Sequence, residues 1–160
     1  MNKQNSLSHS RTLKNLQSAF AGESMANRKY LYFAKIAREL GDSEVAALFE
    51  KTANEETAHA FAHLELIYPK EELTVDKLLA LAVEGELYET NEMYPEFERV
   101  AIEEGDSQAQ AEFAEQREES RVHAATFENA ARRFKALKLV EAFHAKRYQK
   151  LLDKKVARAQ

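Results

Sequence analysis

Apolar residues recur at helical spacing through Leu13, Leu16, Phe20 and Leu31, which predicts a first helix from about Thr12 to Leu40 with Ser10 as its N-cap. Gly41 supplies the left-handed residue that ends it, and Asp42 or Ser43 caps the next helix in a tight antiparallel turn. Val45, Leu48, Phe49, Ala53 and Phe61 fall on one side of this second helix, which stops near Tyr68-Pro69 because proline cannot continue it. A charged link, Lys70-Glu71-Glu72, follows. Thr74 then caps a third helix from about Val75 to Glu103, with Leu78, Leu81, Val83 and Tyr88 along it. Pro95 lies inside that helix and marks a kink or a bulge. Gly105-Asp106-Ser107 repeats the stop-and-start signal, and the chain from Ser107 to Ala157 lacks Gly and Pro, as one very long helix or two with an unmarked break.

The pattern is an internal repeat. Gly22-Glu23 matches Gly85-Glu86 at an offset of 63, and Gly41-Asp42-Ser43 matches Gly105-Asp106-Ser107 at 64. At the same 64, Phe49 matches Phe113, Glu55 matches Glu119, and His59-Ala60 matches His123-Ala124. Two helical hairpins of one design are expected. The offset gains one residue between Gly85 and Gly105, and a one-residue insertion in a helix is absorbed as a π-bulge. An irregular turn is therefore expected near Met93 to Phe97.

Composition narrows the function. Four Gly and two Pro in 160 residues leave little material for turns or a sheet, and the length suits one domain with one core. A formal charge of −4 gives no basic field for nucleic acid. No apolar run reaches the length of a membrane span, and Met1-Asn2-Lys3-Gln4-Asn5-Ser6 has no apolar signal core, so a soluble cytoplasmic protein is expected. Cysteine is absent, so any metal has to sit on carboxylates and histidines.

Glu56 and His59, three apart, leave one face of a helix and are able to grip one metal ion. In antiparallel hairpins, residues equidistant from the turn lie at one height. Glu23 stands 18 residues before Gly41, with Glu56 and His59 15 and 18 after it; Glu86 stands 19 before Gly105, with Glu119 and His123 14 and 18 after it. At about 1.5 Å per residue these six fall in a layer roughly 21 to 29 Å from the turns, and Glu89 shares the Glu86 face. So many carboxylates in a bundle core require cations or protons. Ferritin-like di-iron and di-manganese carboxylate proteins use this arrangement. The expected fold is all-α, a ferritin-like four-helix bundle of two repeated hairpins, residues 10–68 and 74–124, with a helical extension over 125–158, in a single domain over 1–160.

The sequence also resembles the rubrerythrin family over about residues 10 to 124. The likeness rests on Ser10-Arg11-Thr12-Leu13-Lys14-Asn15-Leu16, Ala19-Phe20-Ala21-Gly22-Glu23-Ser24, Tyr30-Leu31-Tyr32-Phe33-Ala34 and Glu56-Thr57-Ala58-His59-Ala60-Phe61. It continues through Glu86-Leu87-Tyr88-Glu89 and Glu92-Met93-Tyr94-Pro95-Glu96-Phe97. Short forms without a rubredoxin-like domain, such as sulerythrin, are most similar, and the internal symmetry is similar to that of symerythrin. The resemblance implies a non-haem di-iron protein that reduces hydrogen peroxide to water. Glu23, Glu56, His59, Glu86 and Glu89 match ligand positions of the family, with Glu89 the carboxylate that changes its binding mode. Tyr30 and Tyr94 match tyrosines that hydrogen-bond near the metals. Two iron ions per site are implied, although manganese and zinc accept the same donors. Electrons are expected from an external rubredoxin-like or flavoprotein donor, and a homodimer is expected, with exchange of hairpins between subunits left open.

One position departs from the family. Three residues before His123, where the fourth helix normally offers Glu, stands Ser120. Glu119 is the candidate substitute, since residues four apart also share a face. Its rival is Glu141-Ala142-Phe143-His144, but 39 residues from Gly105 to His144 is about 58 Å of helix, about twice the distance to the layer. His63, four after His59, is a further candidate for zinc or a hydrogen-bonded neighbour. Tyr88 is a candidate for core packing or for a place beside the metals. His9 reads as tail, and the basic run from Arg147 to Arg158 as the solvated face of the last helix. Two rival functions remain: iron oxidation and storage on the same ligands, and a metal-poor bundle serving assembly.

Overall fold

In the computed structural model, which describes residues 10–157, Ser10 sits in extended backbone and its hydroxyl accepts the Leu13 N–H, which starts α1, Arg11–Glu39. Helix α1 ends on Gly41, at φ +86°, where Gly41 N–H reaches Arg38 O at 3.0 Å and Asp42 N–H reaches Ala37 O at 2.9 Å. Those are the two bonds of a Schellman stop, and they satisfy carbonyls that the helix end would orphan. The Asp42 carboxylate then accepts Val45 N–H and opens α2, Ser43–Ile67. A single 3-10 turn, Lys70–Glu72, follows Pro69.

Thr74 caps α3, Val75–Tyr88. A π turn, Glu89–Met93, joins it to α4, Tyr94–Glu104. Gly105, at φ +74°, repeats the earlier stop, with Asp106 N–H on Ala101 O at 2.9 Å and the Asp106 carboxylate accepting Ala109 N–H. The final helix, α5, Ser107–Ala157, is unbroken over 51 residues. His9 and Arg158, named above, lie outside the described residues. No helix among the described residues is long and apolar enough to cross a membrane.

Two compact units divide between Leu73 and Thr74, each one hairpin. The seam of the first is alanine: Ala34, Ala37, Ala46, Ala53 and Ala60 are buried, and the last three recur every seven residues along α2. Residues this small let two helices approach closely, and a seven-residue spacing keeps one stripe on the seam. Leu48 and Phe61, grouped above with Ala53, are instead 62% and 61% exposed, because a two-helix seam is too narrow to cover the larger side chains flanking it. The second hairpin buries Thr90, Ala101, Ser120 and Ala124. Each hairpin also carries the same aromatic trio: Phe49 packs on Tyr30 and Phe33, with ring centres 5.9 and 5.5 Å away, and Phe113 packs on Tyr94 and Phe97 at 6.4 and 5.5 Å.

The irregular turn was expected at Met93 to Phe97 and lies at Glu89–Met93, sharing only Met93. Proline explains the displacement. Pro95 has no N–H to give a wider-register bond, so the slip is completed before it, by Tyr94 N–H on Glu89 O, and Pro95 enters the first turn of the resumed helix. The buried Thr90 hydroxyl donates to Glu86 O at 2.7 Å, adding a partner to a carbonyl beside the slip.

Candidate metal centre

In the first hairpin the structure brings Glu23 of α1 together with Glu56 and His59 of α2, one ligand atom of each lying within 4.8 Å of the others. His59 Nδ1 stands 3.0 Å from Glu56 Oε2. The Glu23 carboxyl is raised from its ordinary value, chiefly because it hydrogen-bonds Glu56, with burial and the Glu56 charge adding to it and the nearby His59 and His63 opposing it. Glu56 is pushed down, first by the Glu23 hydrogen bond and then by His59. The opposite directions mark Glu23 as the partner that holds a proton more readily when the two carboxyls hydrogen-bond each other. His63 lies near enough to act on Glu23 but outside the three-residue cluster.

Asn27 and Thr57, which sequence reasoning did not single out, set the spacing of this cluster. The Asn27 amide, one turn after Glu23, donates to Ala53 O at 2.6 Å and Thr57 Oγ1 at 2.9 Å across the seam. An Asn in a helix interior beside a candidate ligand was the available signal, since Asn is a poor helix former unless it has a partner.

In the second hairpin His123 Nδ1 stands 3.4 Å from Glu86 Oε2. That oxygen is buried and has no hydrogen bond, an unmet demand that suits a cation or proton. Ser120 Oγ donates to Glu89 Oε2 at 2.8 Å. Glu119, the adjacent residue, is exposed. Tyr94 is half-buried and its hydroxyl is pushed up by burial first, then by the charges of Glu89, Glu112, Glu86 and Glu119. Tyr30 lies in the aromatic trio of its own hairpin, and Tyr88 is exposed. Glu141 and His144 are exposed on the unbroken α5, 21 residues beyond Ser120 and His123, or about 31 Å along the helix. An open groove of about 1040 Å³ between α3 and α5, lined by residues such as Leu79, Val83, Glu84 and Arg132, includes Tyr88 but none of the candidate carboxylate and histidine ligands.

Each hairpin thus offers oxygen and imidazole donors on facing helices, a set that suits iron, manganese or zinc. The sequence model of the family described as Rubrerythrin matches residues 14–131. This chain belongs to the rubrerythrin family. Its all-α hairpins are those of the ferritin-like class. Nigerythrin of Nitratidesulfovibrio vulgaris is 41% identical over 149 residues, covering 86% of this chain and 63% of that protein. Rubrerythrin of the same organism is 36% identical, covering 89% and 70%, and that of Porphyromonas gingivalis is 34% identical, covering 95% and 70%. The chain therefore spans somewhat under two thirds of the length of nigerythrin. A solved structure described as the fully reduced, all-ferrous state of nigerythrin is 38% identical, over 79% of this chain and 69% of that one, with a TM-score of 0.40.

Proposed function

We propose that this rubrerythrin holds two iron ions on Glu23, Glu56, His59, Glu86, Glu89, Glu119 and His123 and reduces hydrogen peroxide to water. The reading is supported most by the Glu23–Glu56–His59 cluster, in which one ligand atom of each residue lies within 4.8 Å of the others across α1 and α2. Iron is taken as the metal because the rubrerythrin family, to which the chain belongs, binds di-iron centres; manganese and zinc fit the same donors.

A reduced iron pair, when bound, supplies the two electrons that, with two protons, convert one hydrogen peroxide into two waters. The protein's own part is to hold those protons and to shape the donors. Glu23 and Glu56 hydrogen-bond each other across α1 and α2, which brings both carboxyl groups beside His59. Glu89 sits at the start of the π turn, where the helix is least regular, and is the carboxylate best placed to change its orientation. Tyr94 keeps its hydroxyl proton against four neighbouring carboxylates and is a hydrogen-bond donor beside them; Tyr30 holds the matching place in the first hairpin. None of the 160 residues is a cysteine, so these residues hold no Cys-ligated electron carrier, and the electrons are read as coming from a rubredoxin-like or flavin donor. The same reading takes the protein as a cytoplasmic homodimer serving defence against oxidative stress.

Iron-loaded protein, reduced anaerobically, is expected to consume one peroxide per reduced pair in stopped-flow absorbance. A full complement of two irons that leaves peroxide untouched would refute the proposal.

A further inference from the structure

The two hairpins offer the same number of donors by different routes. Up to the π turn the repeat offset of 63 sets Glu86 on Glu23 and Glu89 on Ala26; beyond it the offset of 64 sets Ser120 on Glu56 and His123 on His59. In the first hairpin the second carboxylate therefore comes from the later helix, as Glu56, and the earlier helix is kept small at Ala26. In the second hairpin the carboxylate comes from the earlier helix, as Glu89, and the later helix is kept small at Ser120. Leaving aside Glu119, which is exposed, each hairpin ends with two carboxylates and one imidazole.

Ser120 is not merely a small residue. It is 4% exposed, and a hydroxyl buried to that degree requires a partner, which it finds in Glu89 Oε2 at 2.8 Å. A hydrogen bond to a carboxylate is among the stronger neutral-donor bonds and is directional. Without it Glu89, with three side-chain torsions at an irregular stretch of helix, has no other hydrogen bond among the described residues to choose its rotamer. Ser120 and His123 share one face of α5, so the bond also draws Glu89 toward the imidazole.

We infer that Ser120 is a positioning residue, which selects the orientation of the Glu89 carboxylate that lies against α5, the one in which Glu89 fills the place Glu56 takes in the first hairpin. The inference rests on the metal-binding reading above. Outer-shell hydrogen bonds of this kind are worth about 10- to 100-fold in metal affinity.

The test is titration of metal-free protein with cobalt(II), whose visible absorption reports ligand geometry. Wild type is expected to bind two cobalt ions. Ser120→Ala is expected to weaken one of them about 10- to 100-fold and to change its absorption band, leaving the other site and the helical circular dichroism unchanged. On a Glu89→Gln background, Ser120→Ala is expected to add less than about a further twofold loss, because its effect passes through Glu89. Two sites of wild-type affinity in Ser120→Ala overturn the inference alone, as does a loss that persists in full on the Glu89→Gln background. Wild-type protein that takes up no cobalt overturns it together with the reading on which it rests.

Discussion

Replacing Asn27 by Ala tests whether a single amide sets the geometry of the first hairpin. The side chain donates two hydrogen bonds across the α1–α2 seam, to Ala53 O and Thr57 Oγ1, and each neutral bond of this kind contributes about 1 kcal/mol net. Truncation does not orphan the carbonyl, since Thr57 Oγ1 also donates to Ala53 O at 3.2 Å. Alanine regains about 0.6 kcal/mol of helix propensity over asparagine. The balance is a loss of about 1 to 2 kcal/mol, or roughly 2 to 8 °C in Tm for a chain of this size. Urea denaturation of metal-free protein, followed by helical circular dichroism, reads it directly, without the stabilisation that a bound ion adds. The pairing is checked by Thr57→Ala: if the two side chains act together, the double variant loses less than the sum of the singles by about 0.5 to 1 kcal/mol. Because Asn27 follows Glu23 by one turn and Thr57 follows Glu56 directly, affinity for a metal at that cluster also falls, by about tenfold. Midpoints that agree with wild type within about 0.5 kcal/mol, with metal affinity unchanged, would refute the reasoning.

The proton shared by Glu23 and Glu56 makes metal binding pH-dependent. Glu23 is raised by its hydrogen bond to Glu56, so below that elevated value an incoming ion displaces one proton more than above it, and affinity falls by up to about tenfold per pH unit as pH drops. Competition titrations across the mildly acidic range measure the slope; Glu23→Gln should flatten it, and an unchanged slope would count against the shared proton. Gly105→Ala places a side chain at φ +74° with no atom within 4 Å of the new Cβ, so the cost is backbone strain alone, about 1 to 2 kcal/mol. Gly41→Ala, at φ +86°, should cost about the same in thermal melts, and a neutral result at both would show that these turns are relaxed by other means.

The repeat made most of this architecture legible, because glycine stops, aspartate caps and ligand heights all recur at 63 or 64 residues. The position of the π turn was also within reach. Tyr30 and Phe33 match Tyr94 and Phe97 at 64 while Glu23 matches Glu86 at 63, which confines the extra residue to the stretch between Glu86 and Tyr94. Proline drew attention past it. The alanine seam was harder to read, since hydropathy weighs Leu48 and Phe61 above Ala46 and Ala60, whereas close helix approach selects for size. Cross-helix partners such as Asn27 with Ala53, or Ser120 with Glu89, depend on rotation of one helix against another and leave no trace in spacing along one chain.

Helix α5 shows why a motif and a site are different things. Its residues recur at 21, with Phe113, His123 and Phe127 matched by Phe134, His144 and Tyr148, and the second copy has the complete Glu-x-x-His, Glu141 to His144, that the first lacks. Yet Lys138 Nζ already meets Asp76 Oδ2, in the first turn of α3, at 2.6 Å, so α5 has run the length of its hairpin there. Every described residue from 139 on is exposed, Glu141 and His144 among them. The incomplete copy stands opposite Glu86 and Glu89, where His123 reaches one carboxylate and Ser120 holds the other. What an imidazole can bind is decided by the carboxylates facing it from another helix, and within this hairpin Glu86 of α3 faces His123, whereas His144 lies beyond the first turn of α3.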